Sequence, residues 1–202
     1  MIKHVIFDLG NVLLNFKPRQ FLKKYTNDSE RIDQFIKKVT SSDKWLMLDR
    51  GLVPVSEIED NLKEKYPEDI DLLDPFFKNW LEMLTPIKKN VKILYMLKQR
   101  GYSLYALSNF IKEAFEYVTQ KYTFFELFDG MVISYRVKTI KPEEKIFSIL
   151  IKRYNLSPKT CLYIDDTKRF IAVGESIGFN VIHYDSAVKL TDEFEIYGML
   201  ND

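Results

Sequence analysis

Short apolar runs alternate along this chain with longer stretches in which apolar residues recur every three or four positions, starting from Val5-Ile6-Phe7. Short runs bounded by turn residues predict buried strands, and recurrence at three and four predicts helices packed by one face. Ser103 to Leu107, Met131 to Ser134, Cys161 to Ile164 and Asn180 to His183 read as further strands. Between them, Val91, Leu94 and Leu97 mark a helix ending near Arg100-Gly101, and Lys112 to Lys121 reads as a second. Ile146, Phe147, Leu150, Ile151 and Tyr154 share one face of a third, and Lys168 to Ile177 forms a fourth, closed by Gly178. Glycine suits these helix ends because it adopts the left-handed conformation freely. Strands alternating with helices in this way predict an α/β fold, a parallel sheet covered on both faces.

The rhythm breaks once. From Asp8 to about Lys89 the pattern is helical, interrupted by turn signals at Lys17-Pro18, Asp49-Arg50-Gly51, Val53-Pro54, Tyr66-Pro67 and Thr85-Pro86. Ser56 followed by Glu59 has the form of a capping box at a helix start. Phe76, Phe77, Trp80, Leu81 and Leu84 recur at helical spacing, as expected of a helix burying its apolar face. The division is therefore a core of residues 1–16 and 89–202 with an all-helical insertion at 17–88.

Composition narrows the function classes. Apolar residues make up 46% and charged ones 29%, with Lys+Arg 30 against Asp+Glu 29, so the net charge is +1. Nucleic-acid binding, which normally leaves a basic excess, is not expected. No run approaches the ~18 apolar residues of a membrane span, so no membrane partner is expected either. The single cysteine, Cys161, has no partner for an internal disulfide, and the amino terminus enters a strand at once. A cytoplasmic protein is the expectation. Oligomeric state has no signature in the sequence.

Candidate chemistry sits where strands end. Val5-Ile6-Phe7 runs into Asp8, Tyr105-Ala106-Leu107 into Ser108-Asn109, and Tyr163-Ile164 into Asp165-Asp166, while Lys141-Pro142 lies between the last two strands. Parallel strands share one carboxyl edge, where open α/β sheets bind ligands, so these groups should converge. Taken singly, Asp8 is more often a helix cap, Ser108-Asn109 a turn or N-cap, Lys141-Pro142 a surface loop and the paired acids a solvated helix start. Together they fit one phosphate and magnesium site, because clustered carboxylates repel unless a cation lies among them and oxygen ligands suit magnesium.

In this order the residues resemble the haloacid dehalogenase-like superfamily of hydrolases, over nearly the whole chain. Asp8 matches the motif I nucleophile, Ser108 the motif II hydroxyl, Lys141 the motif III lysine and Asp165-Asp166 the motif IV acids. The resemblance implies a three-layer Rossmann-like core with a small helical cap inserted after the first strand, the C1 cap of subfamily IA. The wording FDLGNVLL, LSN and KP is similar to a bacterial subgroup that includes an α-D-glucose-1-phosphate phosphatase. It implies a magnesium-dependent phosphatase acting on a small phosphate monoester, a sugar phosphate by this subgroup, through an aspartyl-phosphate. Magnesium would be held by Asp8, the Gly10 carbonyl, Asp165 and Asp166, and substrate phosphate by Ser108, Asn109 and Lys141. Trp45, Asp49 and Arg50 are candidates for facing the site from the cap, with cap core and a plain turn as the alternatives.

Three positions depart from the family pattern. Gly10 stands where most of the family's phosphatases carry the general acid, a loss that typically costs ~10²–10⁴-fold. A comparatively acidic leaving group, such as the anomeric oxygen of a sugar 1-phosphate, would tolerate that loss. Lys138 replaces a common glycine and brings either a different loop shape or a second cation; Phe170 replaces a polar Asn and either weakens a contact or packs a helix. A metal-independent haloacid dehalogenase and a low-activity or non-catalytic binding module are the competing readings. The paired acids favour phosphate over the first, and the retained Asp8, Ser108 and Lys141 favour turnover over the second.

Overall fold

The computed structural model describes residues 1–185 and 187–200; residue 186 and the last two positions of the expected core range lie outside it. Strands β1 (His4–Phe7), β2 (Ser103–Ser108), β3 (Gly130–Ile133), β4 (Cys161–Asp165) and β5 (Asn180–His183) form a sheet of order β3-β2-β1-β4-β5. All its pairings are parallel. The chain moves outward from β1 through β2 to β3, then crosses to the other side for β4 and β5. This reversal opens the crevice in which such sheets bind ligands, beside the carboxyl end of β1.

Between β1 and β2 the chain forms α1 (Pro18–Leu22), α2 (Ser29–Lys38), α3 (Asp43–Asp49), α4 (Val55–Lys65) and α5 (Ile70–Asn79) before α6 (Lys88–Gln99). Then follow α7 (Lys112–Lys121), α8 (Ser134–Val137), α9 (Glu144–Tyr154), α10 (Lys168–Ile177) and α11 (Leu190–Ile196). Strand alternation sorts the core into two faces. Val5, Phe7, Leu104 and Ile164 pack with Leu94 and Leu97 of α6 and Phe194 of α11. On the other face Ile6, Leu107 and Tyr163 meet Phe147 and Leu150 of α9 and Ile171 of α10. The three layers are as expected, and Gly101 and Gly178 take the left-handed φ of +83° and +98°.

Local details differ from the sequence reading. The capping box does not form: α4 starts at Val55 behind Pro54, with no side-chain cap, and Glu59 pairs with Lys63 instead. The Val55 amide, one of the free donors of the first turn, donates to Glu113 of α7 at 3.4 Å, and the helix starts one residue ahead of Ser56. The aromatic helix ends at Asn79 and tightens into a 3₁₀ turn over Trp80–Met83. Phe76 is wholly buried and contacts the rings of Phe21, Phe35, Trp45 and Phe77, so this segment is core as expected. Ser134 belongs to α8 rather than to β3, and Lys141-Pro142 precedes α9, which begins at Glu144.

The loop after β1 is anchored from both sides. Asn90 is buried and donates from Nδ2 to the Val12 carbonyl at 2.6 Å. Asn15 donates through its amide to the Thr85 carbonyl at 2.8 Å, and the Ile87 amide donates to the Leu13 carbonyl at 2.8 Å. The two crossings between core and helical segment therefore lie side by side. Replacing Asn90 by Leu strands the buried Val12 carbonyl, and a destabilisation of about 1–3 kcal/mol is expected. An unchanged urea midpoint would show that another donor serves that carbonyl.

Candidate active site

Register carries the strand ends to one place. Phe7 lies opposite Ala106 of β2 and Ile164 of β4, so Asp8 is level with Asp165, and Ser108 ends β2 beside them. Asp8, Ser108, Lys141 and Asp165 are all buried. The Ser108 hydroxyl donates to Asp8 Oδ1 at 2.6 Å, and the Leu9 amide donates to the same oxygen at 2.8 Å. Lys141 Nζ lies 3.0 Å from Asp8 Oδ1 and 2.5 Å from Asp165 Oδ2, bridging the two carboxylates.

Asp165 is the most fully partnered acid. Its Oδ2 accepts from Lys141 and from the Tyr163 hydroxyl, and its Oδ1 accepts from the Thr167 amide at 2.8 Å. Asp166 is more open and accepts from Thr167 Oγ1 at 3.2 Å. One oxygen from each of Asp8, Asp165 and Asp166 lies within 4.8 Å of the others. This set of hard oxygen donors fits a magnesium ion.

The electrostatics follow from this crowding. Burial pushes the Asp8 carboxyl up to about 7; Lys141 opposes the shift, while the Asp165 and Asp166 charges add to it. Burial also raises Asp166, with Asp165 adding to the effect. For Lys141, burial alone would lower the pKa, but Asp165 and Asp8 outweigh it and hold the ammonium above its ordinary value. Burial and the neighbouring acids lift Tyr163 well above its usual range, so it stays protonated and donates. A single positive charge thus serves several carboxylates, and an added divalent cation would relieve the remaining repulsion.

The expected residues are brought together with some changes of contact. Gly10 lines the cavity above the acids. Asn109 reaches the site, but its side chain clamps the Lys141 backbone, accepting from the Lys141 amide at 2.7 Å and donating to its carbonyl at 3.1 Å. Of the three cap candidates, Trp45 and Asp49 line the cavity. Trp45 does so while packed on Trp80 and Phe76, so core and wall are one role. Arg50 instead pairs with Glu143. Lys138, left-handed at φ +56°, donates to the Gly51 carbonyl and brings no second cation to the acids. Phe170 is a wall of the site, with Lys141 Nζ 5.0 Å from its ring centre. Tyr163 and Thr167 were missed in the sequence, although Tyr163 precedes Asp165 by two and so shares its face of the strand.

The family model for haloacid dehalogenase-like hydrolases matches residues 2–178. The chain belongs to this family. As a haloacid dehalogenase-like hydrolase it resembles, at 20% identity over 90% of its length and 89% of the relative's, a sesquiterpene phosphatase of Aspergillus oryzae. Its fold matches that of a haloacid dehalogenase family enzyme from Bacteroides thetaiotaomicron, solved with magnesium and inorganic phosphate. That match has a TM-score of 0.76 at 22% identity, over 96% of this chain and 100% of the other. An L-2-haloacid dehalogenase from Xanthobacter autotrophicus matches with a TM-score of 0.69 at 17% identity, over 100% of this chain and 85% of the other. At these identities the structures establish the fold of the haloacid dehalogenase-like hydrolase, and its chemistry is argued from the site.

Proposed function

We propose that this hydrolase is a magnesium-dependent phosphatase that cleaves a small phosphate monoester through an aspartyl-phosphate on Asp8. The observation that carries the reading is the group of three carboxylates within 4.8 Å at the sheet edge, two of them, Asp8 and Asp165, bridged by the buried Lys141. Magnesium would be held by Asp8, the Gly10 carbonyl and Asp166, with Asp165 direct or through water. The ion would supply charge neutralisation for the acids and for the phosphoryl oxygens. Asp8 is the nucleophile, held in line by the Ser108 hydroxyl and the Leu9 amide. Lys141 offers a positive charge to the phosphoryl group, while Tyr163 and the Thr167 amide hold Asp165 so that Asp165 in turn fixes Lys141. Asn109 fixes the Lys141 backbone. Residues 17–88 act as the cap that covers this edge and excludes water. A phosphorylated small molecule is the partner, and the lone buried Cys161 thiol supports a cytoplasmic setting. Among the described residues no helix is long and apolar enough to cross a membrane.

The alcohol half of the ester has two readings. The wording of the motifs points to a sugar phosphate. The cavity favours a more apolar group: it measures about 270 Å³, and Phe16, Trp45, Trp80, Leu84, Phe110 and Ile111 line it. Polar side chains gather mainly at the floor, where phosphate chemistry needs them. The similarity to a sesquiterpene phosphatase supports the same direction. At that volume, just under the ~300–1,000 Å³ of ordinary small-molecule sites, the substrate is small.

A screen of alkyl, aryl and sugar phosphates, with magnesium chloride or with excess chelator, tests both points. Phosphate release at least ~10-fold greater with magnesium is expected, and alkyl esters should have a lower KM than sugar esters because burying each methylene adds ~0.8 kcal/mol. Halide release from a 2-haloacid in chelator, without phosphate release, would establish the dehalogenase reading instead.

A further inference from the structure

With Gly10 at the position of the usual acid, no carboxyl stands two residues after Asp8 to protonate the departing oxygen. We propose that Asp49, delivered from the end of α3, is the general acid and base of this reaction. The inference rests on the phosphatase reading and adds the missing proton donor to it.

Asp49 lines the same cavity as Asp8, Gly10, Lys141 and Asp166. Its carboxylate makes no hydrogen bond or ion pair among the described residues, although nearly every other acid in the site is engaged. Its backbone, by contrast, is tied down. The Ser134 hydroxyl donates to the Asp49 carbonyl, Arg50 pairs with Glu143, and Lys138 donates to the Gly51 carbonyl. Three consecutive residues of the helical segment are thereby fixed to the core around α8 and the start of α9. A free carboxyl on an immobilised backbone, facing the nucleophile's cavity, has the character of a preorganised proton donor.

The charges around it agree. Burial pushes the Asp49 carboxyl up to about 7, the Asp8 charge adds to this, and Lys141 opposes it. Asp166 and Arg169 are the other charged groups lining the cavity, and Arg50 is turned away to Glu143. A carboxyl titrating near neutrality is divided between its acid and base forms at working pH, as both halves of the reaction require.

The steps balance. Asp8 attacks phosphorus, the bond from phosphorus to the alcohol oxygen breaks, and its electron pair leaves on that oxygen, which takes the Asp49 proton. Water then attacks the phosphorus of the aspartyl-phosphate and gives one proton to the Asp49 carboxylate. The bond from phosphorus to Asp8 breaks, the electron pair returns to Asp8, and inorganic phosphate departs.

The test is the first-turnover burst of alcohol release with magnesium, measured across esters from alkyl phosphates to 4-nitrophenyl phosphate, in wild type and Asp49→Asn. Nitrophenolate leaves without a proton, so the variant should lose less than ~10-fold on that ester and ~10²–10⁴-fold on alkyl esters. The rate should therefore depend weakly on leaving-group pKa in wild type and steeply in the variant. Gly10→Asp supplies the second arm, because a Cβ at Gly10 meets nothing within 4 Å. Added to Asp49→Asn, it should recover at least ~10-fold on alkyl esters. A loss equal for all esters, or no loss, overturns the role of Asp49. If wild type releases no alcohol above Asp8→Asn, the phosphatase reading fails and this inference falls with it.

Discussion

Asp8→Asn is expected to abolish turnover and, in the metal-free protein at pH 8, to raise the melting temperature. The amide keeps the shape and can still accept from Ser108, but it cannot attack phosphorus, and a loss of ~10⁴-fold or more is expected for a missing nucleophile. The stability gain has a definite sign. The Asp8 carboxyl titrates at about 7 in the folded chain against an ordinary 3.8, so folding favours its protonated form. Below the unfolded value the folded protein carries no penalty. As pH rises toward 7 and beyond, an ionised buried carboxylate costs on the order of a few kcal/mol, since each pKa unit is ~1.4 kcal/mol. Asn avoids that cost. The gap in melting temperature should be several degrees at pH 8 and shrink as pH falls toward 4, with about 2–4 °C for each kcal/mol in a chain of this size. A variant melting below wild type at pH 8 would show that the ionised Asp8 is net stabilising and is compensated by Lys141 alone.

Lys141→Met should lose both properties together. Its ammonium is the buried countercharge for Asp8 and Asp165, and methionine fills similar volume without charge. Removing one partner of a buried ionic group costs about 3–5 kcal/mol, because the stranded charges remain desolvated. Phosphate release should fall as well, because the phosphoryl group loses its fixed donor. Combining Lys141→Met with Asp8→Asn removes one stranded carboxylate, so Asp8→Asn should stabilise the Lys141→Met protein by more than it stabilises wild type. Additive effects on the urea midpoint would instead show that the two residues act independently.

The fold was legible wherever periodicity was strong. Lys112 to Lys121, Lys168 to Ile177 and Asn180 to His183 form their elements with the residues expected, because their apolar spacing and their flanking turns agree. The capping box at Ser56 does not form because the helix starts earlier, at Val55, whose amide meets Glu113 from a distant part of the chain, a contact that local pattern does not carry. The strand-end groups Asp8, Ser108, Asp165 and Asp166 converge because a parallel sheet leaves them no other edge. Contacts that depend on packing were hidden. Asn109 lines the cavity and also clamps the Lys141 backbone, a contact that no sequence pattern carries, and the Tyr163 hydroxyl is hidden inside an apolar strand. Asp49 could be guessed from sequence only as a turn residue that faces the site. The ties from Ser134, Glu143 and Lys138 that orient it join residues more than 80 positions apart.

The paired crossings at Asn15–Thr85 and Leu13–Ile87 make the whole helical segment a closed excursion, leaving and re-entering the core at neighbouring points. Strand β1 pairs directly with β2 across that gap, so the sheet's register owes nothing to what lies between. The helical segment is one insertion with one pair of crossings, and it is held to the core a second time where Asp49, Arg50 and Gly51 meet Ser134, Glu143 and Lys138, so its placement over the strand ends depends on both attachments.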